Sequence, residues 1–177
     1  CGLRPAVDER EVDLLHAPGL ERGLQRRERR AVLRDDEAAG GLAIEAVAIA
    51  HRRHPQLRLV LAGDGPLRAE VERLVQRGGL QSLVVRLGAV PAVPALLRQC
   101  HLGLLVSESE GMPNAVMEYM AAGLPFVATD CGGNRELAGE GARGRIVPPG
   151  DDAALAQEAG AYARAWQDVD TSQVQPL

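Results

Sequence analysis

Two carboxylates eight positions apart, Glu110 and Glu118, lie in the segment from Ser107 to Pro125, on either side of a sequence that reads as a helix start. Pro113 suits the first turn of that helix, where its missing N–H costs nothing. The main-chain amides of Gly111, Met112, Asn114 and Ala115 then point out of the helix start, along the positive end of its dipole. That arrangement is suited to an anion such as a phosphate. Glu118 falls beyond the first turn of the same helix. Its neighbours Asn114, Ala115, Ala121 and Ala122 are small and leave space for a flat, hydroxyl-bearing group. A carboxylate that accepts from two adjacent hydroxyls makes strong charge-assisted bonds. The plainer alternative is that a glutamate near a helix start stabilises the helix, and that small residues let the helix pack closely on a sheet. For Glu110 alone both readings stand.

The remaining residues narrow the chemistry. All 20 Lys and Arg residues are arginine, a codon-bias pattern. Without lysine there is no GK[ST] and so no P-loop. Gly63-Asp64-Gly65-Pro66 lacks the third glycine of a dinucleotide fingerprint and reads as a tight strand-to-helix turn, Pro66 opening the helix. His16, His51, His54 and His101 are scattered, and none is assigned chemistry. His51 and His54 end a helix, where a cation suits the dipole. Cys1, Cys100 and Cys131 form no metal-ligand spacing, and an odd number without a signal peptide fits a reducing compartment. Cys131 reads as filler of a small apolar slot. Asn134 and Glu136 suit either the lining of a cleft or a helix cap. A net charge of -4 and 2% aromatic residues argue against nucleic-acid binding, by phosphate neutralisation or by base stacking. No apolar run is long enough to span a membrane.

The elements that must position these groups follow from hydropathy. At 177 residues and 46% hydrophobic content the chain can bury a core without disulfides or metal. Residues 1–30 form a linker or poorly defined segment whose arginine-rich stretch, Arg22 to Arg30, fits a solvated face or a lipid-facing patch. From there apolar runs predict strands at Ala31–Leu33, Leu57–Ala62, Leu83–Arg86, Leu102–Val106, Pro125–Ala128 and Arg145–Val147. They lack in/out alternation, which predicts burial on both faces. Between them Leu67, Val71, Leu74 and Val75 mark a helix ended by Gly78-Gly79, and Leu42–Ala50 a well-buried one. A last helix, capped by Asp151 or Asp152, runs to Trp166, and residues 168–177 form a polar tail. Strands alternating with helices of 8 to 17 residues predict an α/β, Rossmann-like, doubly wound parallel sheet of about six strands with helices on both faces. In such a sheet ligands sit at the carboxyl ends of the strands, where the order reverses.

With these elements in place, Glu110-Gly111-Met112-Pro113 followed by Glu118 resembles the E-x7-E motif of retaining glycosyltransferases of the GT-B fold, family GT4 (glycosyl transferases group 1). Leu61-Ala62-Gly63-Asp64-Gly65-Pro66-Leu67-Arg68, Arg86-Leu87-Gly88-Ala89-Val90, Ala121-Ala122-Gly123-Leu124-Pro125, Ala128-Thr129-Asp130, Gly132-Gly133-Asn134-Arg135-Glu136 and Val147-Pro148-Pro149-Gly150-Asp151 resemble that family in order and spacing. The likeness covers residues 31 to 166 and is to the C-terminal, donor-binding half of the fold, so a nucleotide-sugar-binding domain is expected at residues 31–167.

The resemblance implies roles. Glu118 would hold the ribose hydroxyls of the donor nucleotide. Glu110, the catalytic candidate, would contact hydroxyls of the donor sugar. Gly111, Met112 and Asn114 would position sugar and diphosphate through their amides, Val90 would border the base, and Arg34 would pair with the diphosphate. The family's lysine a few residues after that arginine is missing: the chain reads Arg34-Asp35-Asp36-Glu37. Losing one charged hydrogen bond, about 1.5–3 kcal/mol, weakens donor binding by one to two decades. No cofactor and no metal is expected. The partners expected are a nucleoside diphosphate sugar and, through an N-terminal domain, a hydroxyl acceptor (a glycan or lipid-linked). The start at Cys1 leads us to expect a fragment that alone binds donor poorly and transfers nothing. The expected compartment is the cytoplasm, with membrane-surface association at the inner face left open. The alternatives are a degenerate nucleotide-binding or regulatory fragment and a nucleotide-sugar epimerase.

Overall fold

Six apolar runs pair into one all-parallel sheet in the order β3-β2-β1-β4-β5-β6. The computed structural model describes residues 29–34, 40–64, 68–109, 111–139 and 143–165, with only the main chain of Arg29 and Arg34. The strands are β1 (Arg29–Arg34), β2 (Leu57–Ala62), β3 (Val84–Gly88), β4 (Leu102–Leu105), β5 (Phe126–Thr129) and β6 (Gly144–Val147). The helices are α1 (Gly40–His51), α2 (Arg68–Arg77), α3 (Val93–Leu97), α4 (Asn114–Ala121), α5 (Asn134–Leu137) and α6 (Asp152–Ala165). Strand β2 begins and ends where its apolar run does; the others differ by one or two residues at an end. The predicted N-terminal segment, polar tail, Trp166, Gly65 and Pro66 lie outside the described residues.

The absence of alternation in the strands has the predicted cause. Ala31 and Leu33 face one side of the sheet and Val32 the other, and all three are fully buried. One side carries α1, α2 and α6, whose Ile44, Val75 and Leu155 share a core with Leu33, Leu59 and Leu104. The other carries α3, α4 and α5, with Leu96, Val116 and Tyr119 packed on Val32, Val60 and Phe126. Helix α1 is apolar almost all round because its neighbours α2, α6 and the sheet leave only Glu45 and Ile49 exposed. The edge strands β3 and β6 are less buried than the central β4 and β5, as neither has a second neighbour.

Caps settle the helix ends. Asp151 caps α6 by accepting the N–H of Ala154 at 2.8 Å. Gly79, at φ +64°, ends α2, while the N–H of Leu80 returns to the carbonyl of Val75 at 2.9 Å. Two helices are shorter than the predicted minimum of eight: α3 has five residues and α5 four. The sheet order runs outward from β1 to β3, then jumps back to place β4 on the other side of β1. That reversal opens the carboxyl ends of β1 and β4 as the crevice of the fold.

Candidate functional site

The β4 chain, buried along its length, surfaces at Ser107 and leads through Gly111 and Met112 into α4. Pro113 is the N-cap residue, at φ -78° and ψ 86°. It therefore stands one position before the first turn in which the sequence placed it, and the helix proper begins at Asn114. The carbonyl of Pro113 accepts the first helical bond, from the N–H of Met117 at 3.2 Å. The amides of Asn114, Ala115 and Val116 precede that bond and open the helix. No acidic side chain lies in the first turn, so nothing within the helix offsets the positive end of its dipole. Gly111, Met112 and Asn114 are exposed there, Met112 at 67%. Glu118 follows one turn in, half-buried, with its Oε2 shielded from solvent. The residues picked out around the E-x7-E spacing thus gather at the carboxyl edge of β4. Glu110 itself lies outside the described residues.

Arg34 closes β1, one step past the Leu33–Leu104 register pair that joins β1 to β4. Its main chain pairs with Ala62 of β2 at the carboxyl edge of the sheet, while its side chain and Asp35, Asp36 and Glu37 lie outside the described residues. Val90 is less close to this group. It follows β3, with β2 and β1 between it and β4, and is half-buried against the core of that face. The N–H of Gly63 bonds the carbonyl of Gly88 at 2.9 Å and ties the loops after β2 and β3 together.

Several residues that position the site were not apparent from spacing. Tyr119, next to Glu118, is fully buried. Its hydroxyl meets the carbonyl of Leu104 at 2.9 Å and that of Val32 at 3.4 Å. Helix α4 is thereby fixed on the two strands that flank the crevice. The ring occupies the place where a Cβ at Gly103 would stand; a glycine inside an apolar strand opposite an aromatic was the available signal. Beyond the last β4–β5 register pair, Leu105 with Ala128, the buried Thr129 hydroxyl holds the main chain of Ser107.

Three expectations are corrected. Cys131 does not fill an apolar slot: its Sγ lies 3.4 Å from the carbonyl of Ser107, 3.6 Å from Thr129 Oγ1 and 3.5 Å from Asn134 Nδ2. Asn134 neither lines a cleft nor caps through its side chain. It is fully buried, and its Nδ2 donates to the carbonyl of Thr129 at 2.9 Å, because the tight turn after β5 folds inward. His54 does not end the helix, which stops at His51. His54 is buried against Gly160 of α6, and burial first, then Arg164 and Arg53, push its pKa below the ordinary 6.5.

Charge at the rim is paired. Arg135 binds both oxygens of Asp130, and that bond holds the Asp130 carboxyl below its usual range. Cys100 is buried, which pushes its thiol up to about 12 and leaves it inert. Among the described residues no group of three or more His, Cys, Asp or Glu is placed to hold a metal ion, and no helix is long and apolar enough to cross a membrane.

The model of the glycosyl transferases group 1 family matches residues 33–164. The chain belongs to that family. Among curated relatives, the Vi polysaccharide biosynthesis protein VipC/TviE of Salmonella typhi is 36% identical over 102 residues, 58% of this chain and 17% of its own length. The amylovoran biosynthesis glycosyltransferase AmsK of Erwinia amylovora is 33% identical over 124 residues, 66% of this chain and 30% of its own. The fold matches Anabaena Alr3699/HepE, solved in complex with UDP and glucose, with a TM-score of 0.73 at 24% identity, over 91% of this chain and 44% of that one. This chain spans less than half the length of each of these relatives and neighbours.

Proposed function

We propose that this chain is the donor-binding half of a retaining glycosyltransferase that moves a hexose from a nucleoside diphosphate sugar to a hydroxyl acceptor. The observation that carries the reading is the start of α4. A helix N-terminus without acidic residues opens at the switch between β1 and β4, and a half-buried carboxylate stands one turn inside it. The first feature suits a diphosphate; the second suits the paired hydroxyls of a ribose. Alr3699/HepE, which has this fold, binds UDP.

In this reading the unit spans residues 31–167, between the flanking segments 1–30 and 168–177. Glu118 accepts from both ribose hydroxyls. The amides of Gly111, Met112 and Asn114 hold the diphosphate and sugar, Val90 borders the base, and Glu110 contacts the sugar hydroxyls near the reacting carbon. As the bond to the sugar breaks, negative charge grows on the departing nucleoside diphosphate. The α4 dipole and the Arg34 guanidinium stabilise that charge in place, which lowers the barrier. The acceptor, a glycan or a lipid-linked hydroxyl, is brought by a second domain, without which this chain transfers nothing. We place the reaction in the cytoplasm, at the inner membrane face when the acceptor is lipid-linked. A second reading, a non-catalytic nucleotide-binding or regulatory fragment, draws on Glu37 standing where the family has lysine, in a chain without any lysine.

Calorimetric titration of the chain with UDP-, GDP- and ADP-sugars tests the donor reading. Binding of one of them, weakened about tenfold or more in Glu118→Ala, is expected from the loss of a charged hydrogen-bond pair. Binding that is equally tight in Glu118→Ala contradicts the ribose role.

A further inference from the structure

The β4–β5 ladder stops at Leu105 and Ala128, yet the Thr129 hydroxyl binds the β4 chain to β5 beyond that point, with Cys131 Sγ also 3.4 Å from the Ser107 carbonyl. Thr129 Oγ1 accepts the N–H of Ser107 at 3.0 Å and donates to the carbonyl of the same residue at 2.7 Å. Only a group that is donor and acceptor at once satisfies both halves of a single peptide residue in this way. Thr129 is 1% exposed, so no solvent stands ready to replace it. Asn134 holds the Thr129 carbonyl from behind at 2.9 Å.

The turn that follows reaches the same connection a second time. A Cβ built on Gly133 would lie 3.5 Å from the Pro113 ring and 3.6 Å from the carbonyl of Gly111, in ordinary contact with both. The chain between β4 and α4 is therefore held at its root by Thr129, and its far end lies close beside the Gly133 turn. That chain presents the Gly111 and Met112 amides.

The geometry points to Thr129 as a positioning residue for donor binding: its hydroxyl fixes the β4–α4 connection in the shape that aims the Gly111, Met112 and Asn114 amides at the diphosphate. The inference rests on the donor reading above. It assigns Thr129 no contact with the nucleotide; the effect passes through Ser107. Valine copies the shape of threonine but not the hydroxyl, and removes the Thr129 acceptor from the part-buried Ser107 N–H. Serine keeps the hydroxyl and loses only a methyl.

The test compares the full chain with Thr129→Val and Thr129→Ser by calorimetry against UDP-glucose, GDP-mannose and ADP-glucose, and by hydrogen exchange at Ser107, Gly111 and Met112. Thr129→Ala replaces the valine variant if that one does not fold. The expected result is donor affinity about tenfold weaker or more in Thr129→Val, near wild type in Thr129→Ser, with faster exchange at the three amides in the valine variant only. Unchanged affinity in Thr129→Val, or equal losses in the valine and serine variants, overturns the inference. If the wild type binds none of the three nucleotides, the donor reading fails by itself. The exchange data then decide about the hydroxyl: acceleration confined to Thr129→Val upholds its hold on the connection, and unchanged exchange overturns it.

Discussion

At the scale of single residues, Tyr119 and Gly103 are the pair on which Glu118 depends. Glu118 and Tyr119 are adjacent on α4, so the rotation that buries one sets the direction of the other. Tyr119 is locked by its bonds to the carbonyls of Leu104 and Val32, and Gly103 leaves room for its ring. Gly103→Ala is expected to destabilise the fold by about 1–3 kcal/mol through overpacking, and to weaken nucleotide binding as α4 shifts. Urea denaturation checks the first effect; unchanged stability would show that the ring yields easily. His54 gives a pH dependence. Its folded pKa lies below the ordinary 6.5 because of burial, Arg164 and Arg53, so the unfolded chain takes up the proton first as the pH falls. Its contribution to stability is full above that ordinary value and is lost below it. The melting temperature is expected to fall between pH 7.5 and 5.5 and to fall less in His54→Gln. Equal pH profiles for the two proteins would remove His54 as the cause.

At the scale of elements, β2 was legible to the residue, and α1, α2 and α6 to within a few, because an apolar run or stripe ending at a cap is a local signal. The cap of α6 allows a quantitative check: Asp151→Ala, losing the bond to the Ala154 N–H, is expected to cost about 1 kcal/mol by thermal denaturation. An unchanged melting temperature would mean that α6 is held by packing on α1 alone. The short helices α3 and α5 were not legible: five and four residues leave no room for a periodic stripe. The polar interior of the β5 turn escaped for a different reason. In the sequence Cys131 reads as filler of an apolar slot and Asn134 as a cleft or cap residue. Their partners, Ser107 and Thr129, lie 24 and five positions away, and only the pairing of β4 with β5 makes them neighbours. The same limit applies to His54, whose burial against Gly160 depends on α6 packing beside α1.

For the whole molecule, the strand order is what gives the E-x7-E segment a place to act. Two buried central strands, β1 and β4, end side by side where the order reverses, and α4 starts above that point. The proposed donor site lies there. The grouping is uneven, however: the α4 residues lie together, Arg34 ends the neighbouring strand, and Val90 follows β3, two strands beyond β1. A nucleotide laid along the carboxyl edge from β4 toward β3 would span that distance, with diphosphate at α4 and base toward Val90. Calorimetric titration of the intact chain with UDP-, GDP- and ADP-sugars, beside Glu118→Ala, tests this account most directly. It predicts that one nucleotide sugar binds and that Glu118→Ala binds it about tenfold more weakly or worse. No binding of any of the three up to millimolar concentration would contradict it.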